Sequence, residues 1–565
     1  MEKEDRKAKV RIPMMVDDAR FAPQGRSDLT ENVDIEDEFF LDGPVTRRVA
    51  VLDFNPDTGA LEAGACYLPP KPGNKIGRYD VPKKPDILCR AFNQVSVFAT
   101  VFETIKMFEK ADTLGREIRW AFDGPQLLVI PRAGQMENAF YQRDTHSLQF
   151  FYFPGPKNEI VYTSLARDIV AHETGHAILD GIAPHLWNAI TPQSLALHEA
   201  IGDLSALLLS IESNELRKAV LEKTQGSIKE STHFSALAEE FGMARGSGAL
   251  RSLFDENLTL RQVERSDPHD LCRVLTAALY SVLVKMHEDR KHKEMDRTRA
   301  SEYSVSGRAL ALAAAQFRRM TLRALDYLPP GEISFADYGR AIIAADQASH
   351  PDDSQEREWI VDEFLRRGLV LERGTLKVNA PPKDCLQRID LEKLATSDSA
   401  AYNFANGEAG RQLLCIPSDT EFKVEPRLPV EKLYYHRKED GSPAEKTVYE
   451  YLFKVWWYQE EENSLAPRFP SQRQVAAGTT LAWDRHTGEP RVLLTSNRST
   501  STGEEIEQKN DRDLLLRRLT EEGLLQPGPQ KLGPDDRPLR MTVNIEGADK
   551  VMRVANVARM LHIMK

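Results

Sequence analysis

Cysteine is scarce in this chain and poorly placed for cross-linking. The five thiols, Cys66, Cys89, Cys272, Cys385 and Cys415, are an odd number, lie far apart and form no C-x-x-C pair. Neither a disulfide framework nor a structural zinc knuckle is therefore expected, and reduced, buried thiols fit better. An excess of positive charge is lacking too. Against 86 Asp and Glu stand 75 Lys and Arg, a net charge of −11, which argues against a general nucleic-acid or anionic-membrane binder. The charged N-terminus MEKEDRKAKVRIPMMVDDARF holds no apolar run long enough for a signal peptide, and no later stretch reads as a membrane span. A cytoplasmic location is the expectation. Internal repeats are absent. Apolar residues are not short: at 41% of 565 positions they suffice for roughly three or four domain cores.

Residues 1–44 mix charges, Pro and Gly without periodicity, ending in the acidic stretch Glu31 to Asp42, and read as a partly ordered arm. RRVAVLDF, the turn Asn-Pro-Asp-Thr-Gly and ALEAGACYL predict a hairpin. Val97, Phe98, Val101, Phe102, Ile105 and Phe108 recur at helical spacing and predict a long helix within 86–110. Strands are expected at EIRWAF, at QLLVIP, around Asn138 to Tyr141 and at Leu148 to Phe153. A helix capped by Thr163 or Ser164 follows and ends at Gly181 and Pro184. From Pro192 to Arg367 the pattern is mostly helical. Beyond LERGTLKVNAPPKD, strand-like runs return (LLCIP, TVYEYLFKVWWYQ, TTLAWD, PRVLLTS), then a helix from Arg512 to Leu525. The predicted divisions are an arm at 1–44, a mixed β/α region at 45–184, a helical region at 185–372 and a β-rich α+β region at 373–565.

The chemistry concentrates in His172-Glu173-Thr174-Gly175-His176 and, further on, His198-Glu199-Ala200-Ile201-Gly202-Asp203. On a helix, His172 and His176 stand one turn apart on one face, so both imidazoles reach a single metal ion, with Glu173 beside them. A catalytic zinc takes three protein ligands and keeps one position for water, so a third donor is needed. Glu199 is the candidate, and Asp203, one turn later, can accept the free N–H of His172.

With these motifs the chain resembles the thermolysin-like gluzincin zinc metallopeptidases, whose HExxH is followed by a Glu-x-x-x-Asp on the next helix. The resemblance implies an α+β fold with a thermolysin-like pair of lobes, a mixed β/α N-lobe and a helical C-lobe, holding one zinc. It implies that Asn138 and Ala139, in Asn-Ala-Phe, grip an extended peptide by edge-strand pairing. It also implies that Arg251, in Leu250-Arg251-Ser252, binds the substrate carbonyl and that His269 stabilises the oxyanion. Ile169 and Leu250 match positions lining a pocket for an apolar residue after the cut. Glu173 would be the general base for a water activated by zinc. The expected activity is an endopeptidase acting on protein or peptide substrates.

Several positions depart from the family pattern. Where the family has an oxyanion-binding tyrosine stands Trp187, with His185 as a possible substitute. Asp168 matches a calcium ligand of the secreted members, but the partner offset falls on Ser210, which speaks against calcium. Residues 373–565 have no counterpart, and their aromatic strand Tyr449 to Tyr458 suggests an edge that binds a partner protein. Such a region is expected to be separable from the peptidase. Two other readings stay open. Gly134-Gln135-Met136-Glu137-Asn138 resembles the G-x-M-E-N motif of gluzincin aminopeptidases, in which Glu137 would capture a free amine. Alternatively the chain is a non-catalytic scaffold, against which the intact Glu173 and three ligands argue.

Overall fold

The first strand, β1 (Ala8–Met15), is built on strict alternation: Val10, Ile12 and Met14 are fully buried, while Lys9 and Arg11 face away. Arg11 Nε lies 2.7 Å from Asp34 Oδ1 on the antiparallel strand β2 (Thr30–Asp37). Within the expected arm, Ala8–Met15 and Thr30–Asp37 are therefore paired strands. Pro13 and the interleaved charges hide a two-residue period, and the acidic run supplies counter-charges to β1. The computed structural model describes residues 7–16, 30–37, 39–82, 88–155, 159–230, 232, 234–237, 251–350, 354–378, 381–437, 443–496, 503–525, 542–546, 551–555 and 557–558. Helix makes up 44% and strand 22%, in several separate sheets, so the chain is α+β.

The expected hairpin forms only close to its turn, where Phe54 bridges Leu61 antiparallel and Glu62 N donates to Asp53 O at 2.8 Å. Its arms go to different sheets. β3 (Val49–Val51), buried at all three residues, pairs in parallel with a later strand, as a strand covered on both faces does. β4 (Tyr67–Leu68) instead pairs β5 (Ile76–Tyr79), which lies parallel to β1. Across this sheet packs α1 (Arg90–Glu109), close to its expected span. Its buried Thr100 and Thr104 hydroxyls donate to carbonyls one turn back. EIRWAF is not a strand; Trp120 and Phe122 stack there, and Phe122 stacks on His146.

The second sheet has the order β3, β6 (Leu127–Ile130), β8 (Ser147–Phe150), β7 (Ala139–Gln142), so β7 is an edge strand. The helices that follow are α2 (Arg167–Ile182), α3 (Pro192–Glu212), α4 (Asn214–Lys223), α5 (Pro268–Thr298), α6 (Glu302–Tyr327), α7 (Phe335–Gln347) and α8 (Gln355–Arg366). α3 is long and apolar enough to cross a membrane, but 94% of its apolar window is buried inside the fold.

In the C-terminal third, LLCIP is not a strand. Three short helices, α9 (Leu391–Thr396), α10 (Asp398–Asn406) and α11 (Glu408–Leu413), occupy its neighbourhood. A seven-stranded sheet follows, centred on the long strands Pro443–Glu462 and Gln472–Asp484. The aromatic strand Pro443–Glu462 is paired on both sides, by Phe422–Val424 and Leu428–Arg437 on one and Gln472–Asp484 on the other. Pairing is two-sided at residues 450–452 and 455–457, so most of the aromatic stretch Tyr449 to Tyr458 lies inside the sheet.

One face of this sheet carries Phe453, Val455 and Trp457 onto α9 to α11, while Leu452, Val475, Ala482 and Val492 join the apolar core that runs through β1, α1, α2, α3, α5 and α6. The last long helix, α12 (Gly503–Glu521), adds Leu515, Leu516 and Leu519 to that same core. Polar links cross the seam as well. Asp326 on α6 meets Lys432 at 3.3 Å with both side chains fully buried, and Tyr327 donates to Glu450 at 2.5 Å. At Gly331, φ is +100°, and a Cβ would lie 2.7 Å from the Ala476 backbone, so this loop closes on the sheet only with glycine. The packing thus runs without interruption across the sequence boundary expected at 372/373.

Candidate metal centre

α2 starts later than its polar neighbours suggest. Its N-cap is Ala166, because Thr163 and Ser164 are occupied in the preceding 3-10 turn, Thr163 with Phe151 O and Ser164 with Asn93. The helix ends at Ile182, just before Pro184, as expected. α2 crosses α3 at two glycines. A Cβ on Gly175 would lie 2.6 Å from Ser205 Oγ, and one on Gly202 would lie 2.7 Å from the His172 ring. Only glycine at these positions lets the two helices approach closely enough for Glu199 to meet the histidines.

At that crossing His172, His176 and Glu199 form a buried group that could hold a metal ion, with their donor atoms all within 4.8 Å of one another. The two Nε2 atoms are 3.0 Å apart, and each lies 3.8 Å from a Glu199 carboxylate oxygen. Tetrahedral ligands at about 2.0 Å from a zinc ion would stand about 3.3 Å from one another, so these spacings bracket the required ones.

The far nitrogens are occupied. His172 Nδ1 lies 3.0 Å from Asp203 Oδ1, as the spacing predicts, and Asp203 Oδ2 accepts from Cys272 Sγ at 3.3 Å. His176 Nδ1 lies 2.9 Å from His198 Nδ1. Burial pushes the His198 imidazole down to about 4, so it is neutral near pH 7 and has a lone pair to offer. With the His176 proton on Nδ1, the Nε2 lone pair faces the group's centre. The run His198-Glu199 does not by itself disclose this role for His198. The available signal was its place in an otherwise apolar helix, where a buried imidazole needs a polar partner.

Glu173 is buried beside the group, and its Oε2 accepts the Tyr141 backbone N–H at 3.1 Å. That bond fixes the polarity of the edge strand. Since Tyr141 points its N–H off the sheet towards α2, Ala139, two residues earlier, points the same way. Asn138 is buried at the start of β7, and its Oδ1 accepts from Ala139 N at 2.8 Å. Glu137, just before it, is exposed.

His269 joins from α5, with its Nε2 3.5 Å from Glu199 Oε2. Asp267 caps that helix, Oδ1 accepting from His269 N at 2.9 Å and lying 3.4 Å from the ring Nδ1. His269, and after it Arg518, hold the Asp267 carboxyl well below the usual range, against the opposing effect of partial burial. Ile169 packs with Phe153 and Val161, and Asp168 Oδ1 accepts from Ile169 N at 2.7 Å. Arg251 lies on a two-residue strand paired with Leu237, and Leu250 is outside the described residues. His185 turns to Glu425 at 3.1 Å, and the buried Trp187 packs against Tyr141 and His198. No protein-family model and no curated protein matches this sequence. Among the described residues, His172, His176 and Glu199 are the one such ligand group.

Proposed function

We propose that the chain is a zinc-dependent peptidase cutting internal peptide bonds, with a thermolysin-like two-lobed arrangement around the α2–α3 crossing. The observation that carries this reading is the convergence of His172, His176 and Glu199, with both imidazoles oriented from behind by Asp203 and His198. Two imidazoles and a carboxylate suit zinc, which supplies water activation and polarisation of the substrate carbonyl when bound there. Glu173, the one buried carboxylate on α2 next to the histidines without a place in the ligand group, takes the proton of the attacking water and returns it to the leaving amine. His269, next to Glu199, donates to the oxygen that gains negative charge as the carbonyl is attacked. β7 presents backbone groups beside Glu173, and an extended peptide pairing with it would need no terminus.

The test is a matched pair of peptides, one N-terminally acetylated and one free. Both should be cut at the same internal bond, with rates within about threefold, because backbone pairing does not read the amine. If the acetylated peptide resists while the free one is shortened residue by residue, Glu137 is an amine anchor and the aminopeptidase reading replaces this one.

A further inference from the structure

We propose that Arg518, on the C-terminal helix α12, is a positioning residue for His269 and so makes the C-terminal third part of the reactive site. The inference rests on the peptidase reading for the role of His269. The chain of contacts is short. Arg518 Nη1 donates to Asp267 Oδ2 at 3.1 Å, and the other oxygen of Asp267 caps α5 and faces the His269 ring. The ring's far nitrogen lies 3.5 Å from Glu199 Oε2.

Asp267 is thus divided between two tasks, and among the described residues Arg518 is the cation that sets the rotation of its carboxylate from outside α5. Glu522, one residue past the end of that helix, braces Arg518 at 3.0 Å. The same loop is fastened a second time, by Arg265 to Asp511 at 2.8 Å and to Glu507 at 3.2 Å. Deeper along α12, the fully buried Arg512 makes two bonds to Glu461, at 2.7 and 2.8 Å, and donates to Thr191 Oγ1, at the N-cap of α3, at 3.3 Å. α12 therefore touches the starts of both helices that bring Glu199 and His269 together. No element before residue 373 supplies Asp267 with an equivalent cation among the described residues.

A merely structural ion pair and a positioning one differ in what their loss changes. The pair is partly exposed, with side chains 34% and 24% accessible, so its removal should lower the melting temperature by no more than about 3 °C. Misplacement of His269 would instead appear in turnover. For the full chain Arg518→Ala, kcat on a blocked peptide should fall about tenfold, with KM within about twofold and zinc content unchanged. Arg518→Lys, which keeps a cation within reach, should recover most of the loss. Asp267→Asn retains a good helix cap and should match Arg518→Ala, and the double variant should be no worse than either single one.

A second readout does not depend on peptidase activity. Acylation of His269 by diethyl pyrocarbonate at fixed pH, followed by peptide mass spectrometry, should be at least about threefold faster in Arg518→Ala, because a ring no longer held against Glu199 is more accessible. Unchanged kcat and unchanged acylation, or equal losses in the Ala and Lys variants, overturn the proposal. If the wild type cuts no peptide, the peptidase reading fails, and the acylation rates alone decide whether Arg518 positions His269.

Discussion

Glu173→Gln is expected to keep about one zinc per chain while losing at least about a thousandfold in peptide cleavage. The amide is nearly isosteric, and its oxygen can still accept the Tyr141 N–H that the carboxylate accepts now, so neither β7 nor α2 should shift. The three donors that converge on the metal position do not include Glu173. What the substitution removes is the buried carboxylate beside the ligand group that the peptidase reading assigns to take a proton from water and pass it on. Metal analysis and a blocked-peptide assay on the same preparation separate the possibilities. Loss of zinc would make Glu173 a ligand, and retained turnover would remove it from the chemistry.

The second large effect concerns the C-terminal third. Deleting residues 373–565 should yield an insoluble or unfolded chain without zinc, rather than a minimal peptidase. Leu515, Leu516, Leu519 and Leu525 are at most 1% exposed and belong to the apolar core shared with α2 and α3. At about 2 kcal/mol each, the surface they cover accounts for about 8 kcal/mol, comparable with the whole net stability of about 5–15 kcal/mol for a domain. Deletion also takes Lys432 from the fully buried Asp326, leaving it Arg116 alone, and Arg512 from the start of α3. Expression of the 1–372 chain beside the full chain, with circular dichroism and metal analysis, checks this. A soluble, folded, zinc-loaded fragment would show that the C-terminal sheet is an appendage.

That expectation reverses the one drawn from sequence, and the reason is physical. A boundary in sequence is read from composition, and Pro-Pro-Lys-Asp after Leu-Lys-Val-Asn-Ala does mark a change of local pattern. Contacts between residues more than a hundred positions apart, such as Asp326 with Lys432 or Asp267 with Arg518, leave no local trace. The features that were legible are those with a short period. His172 and His176 at one helical turn, Glu199 and Asp203 at another, the apolar stripe of α1 and the strand at Ala139 are each fixed by spacing along their own segment. The N-terminal strands were missed although Val10, Ile12 and Met14 alternate, because Pro13 and the charges between them resemble a solvated arm. Gly175 and Gly202 were visible as residues but not as the contact point of two helices, which depends on how those helices cross. His198 adjoins Glu199 in sequence, yet its role depends on His176 coming to meet it from another helix.

The deciding quantity is the stoichiometry of zinc in the purified full chain and in Glu199→Ala, after dialysis against zinc and then metal-free buffer. The ligand group predicts about one zinc per chain in the wild type and under about a tenth of that in the variant, with circular dichroism unchanged. A wild type that emerges without zinc, or a Glu199→Ala chain that retains as much as the wild type, would contradict it.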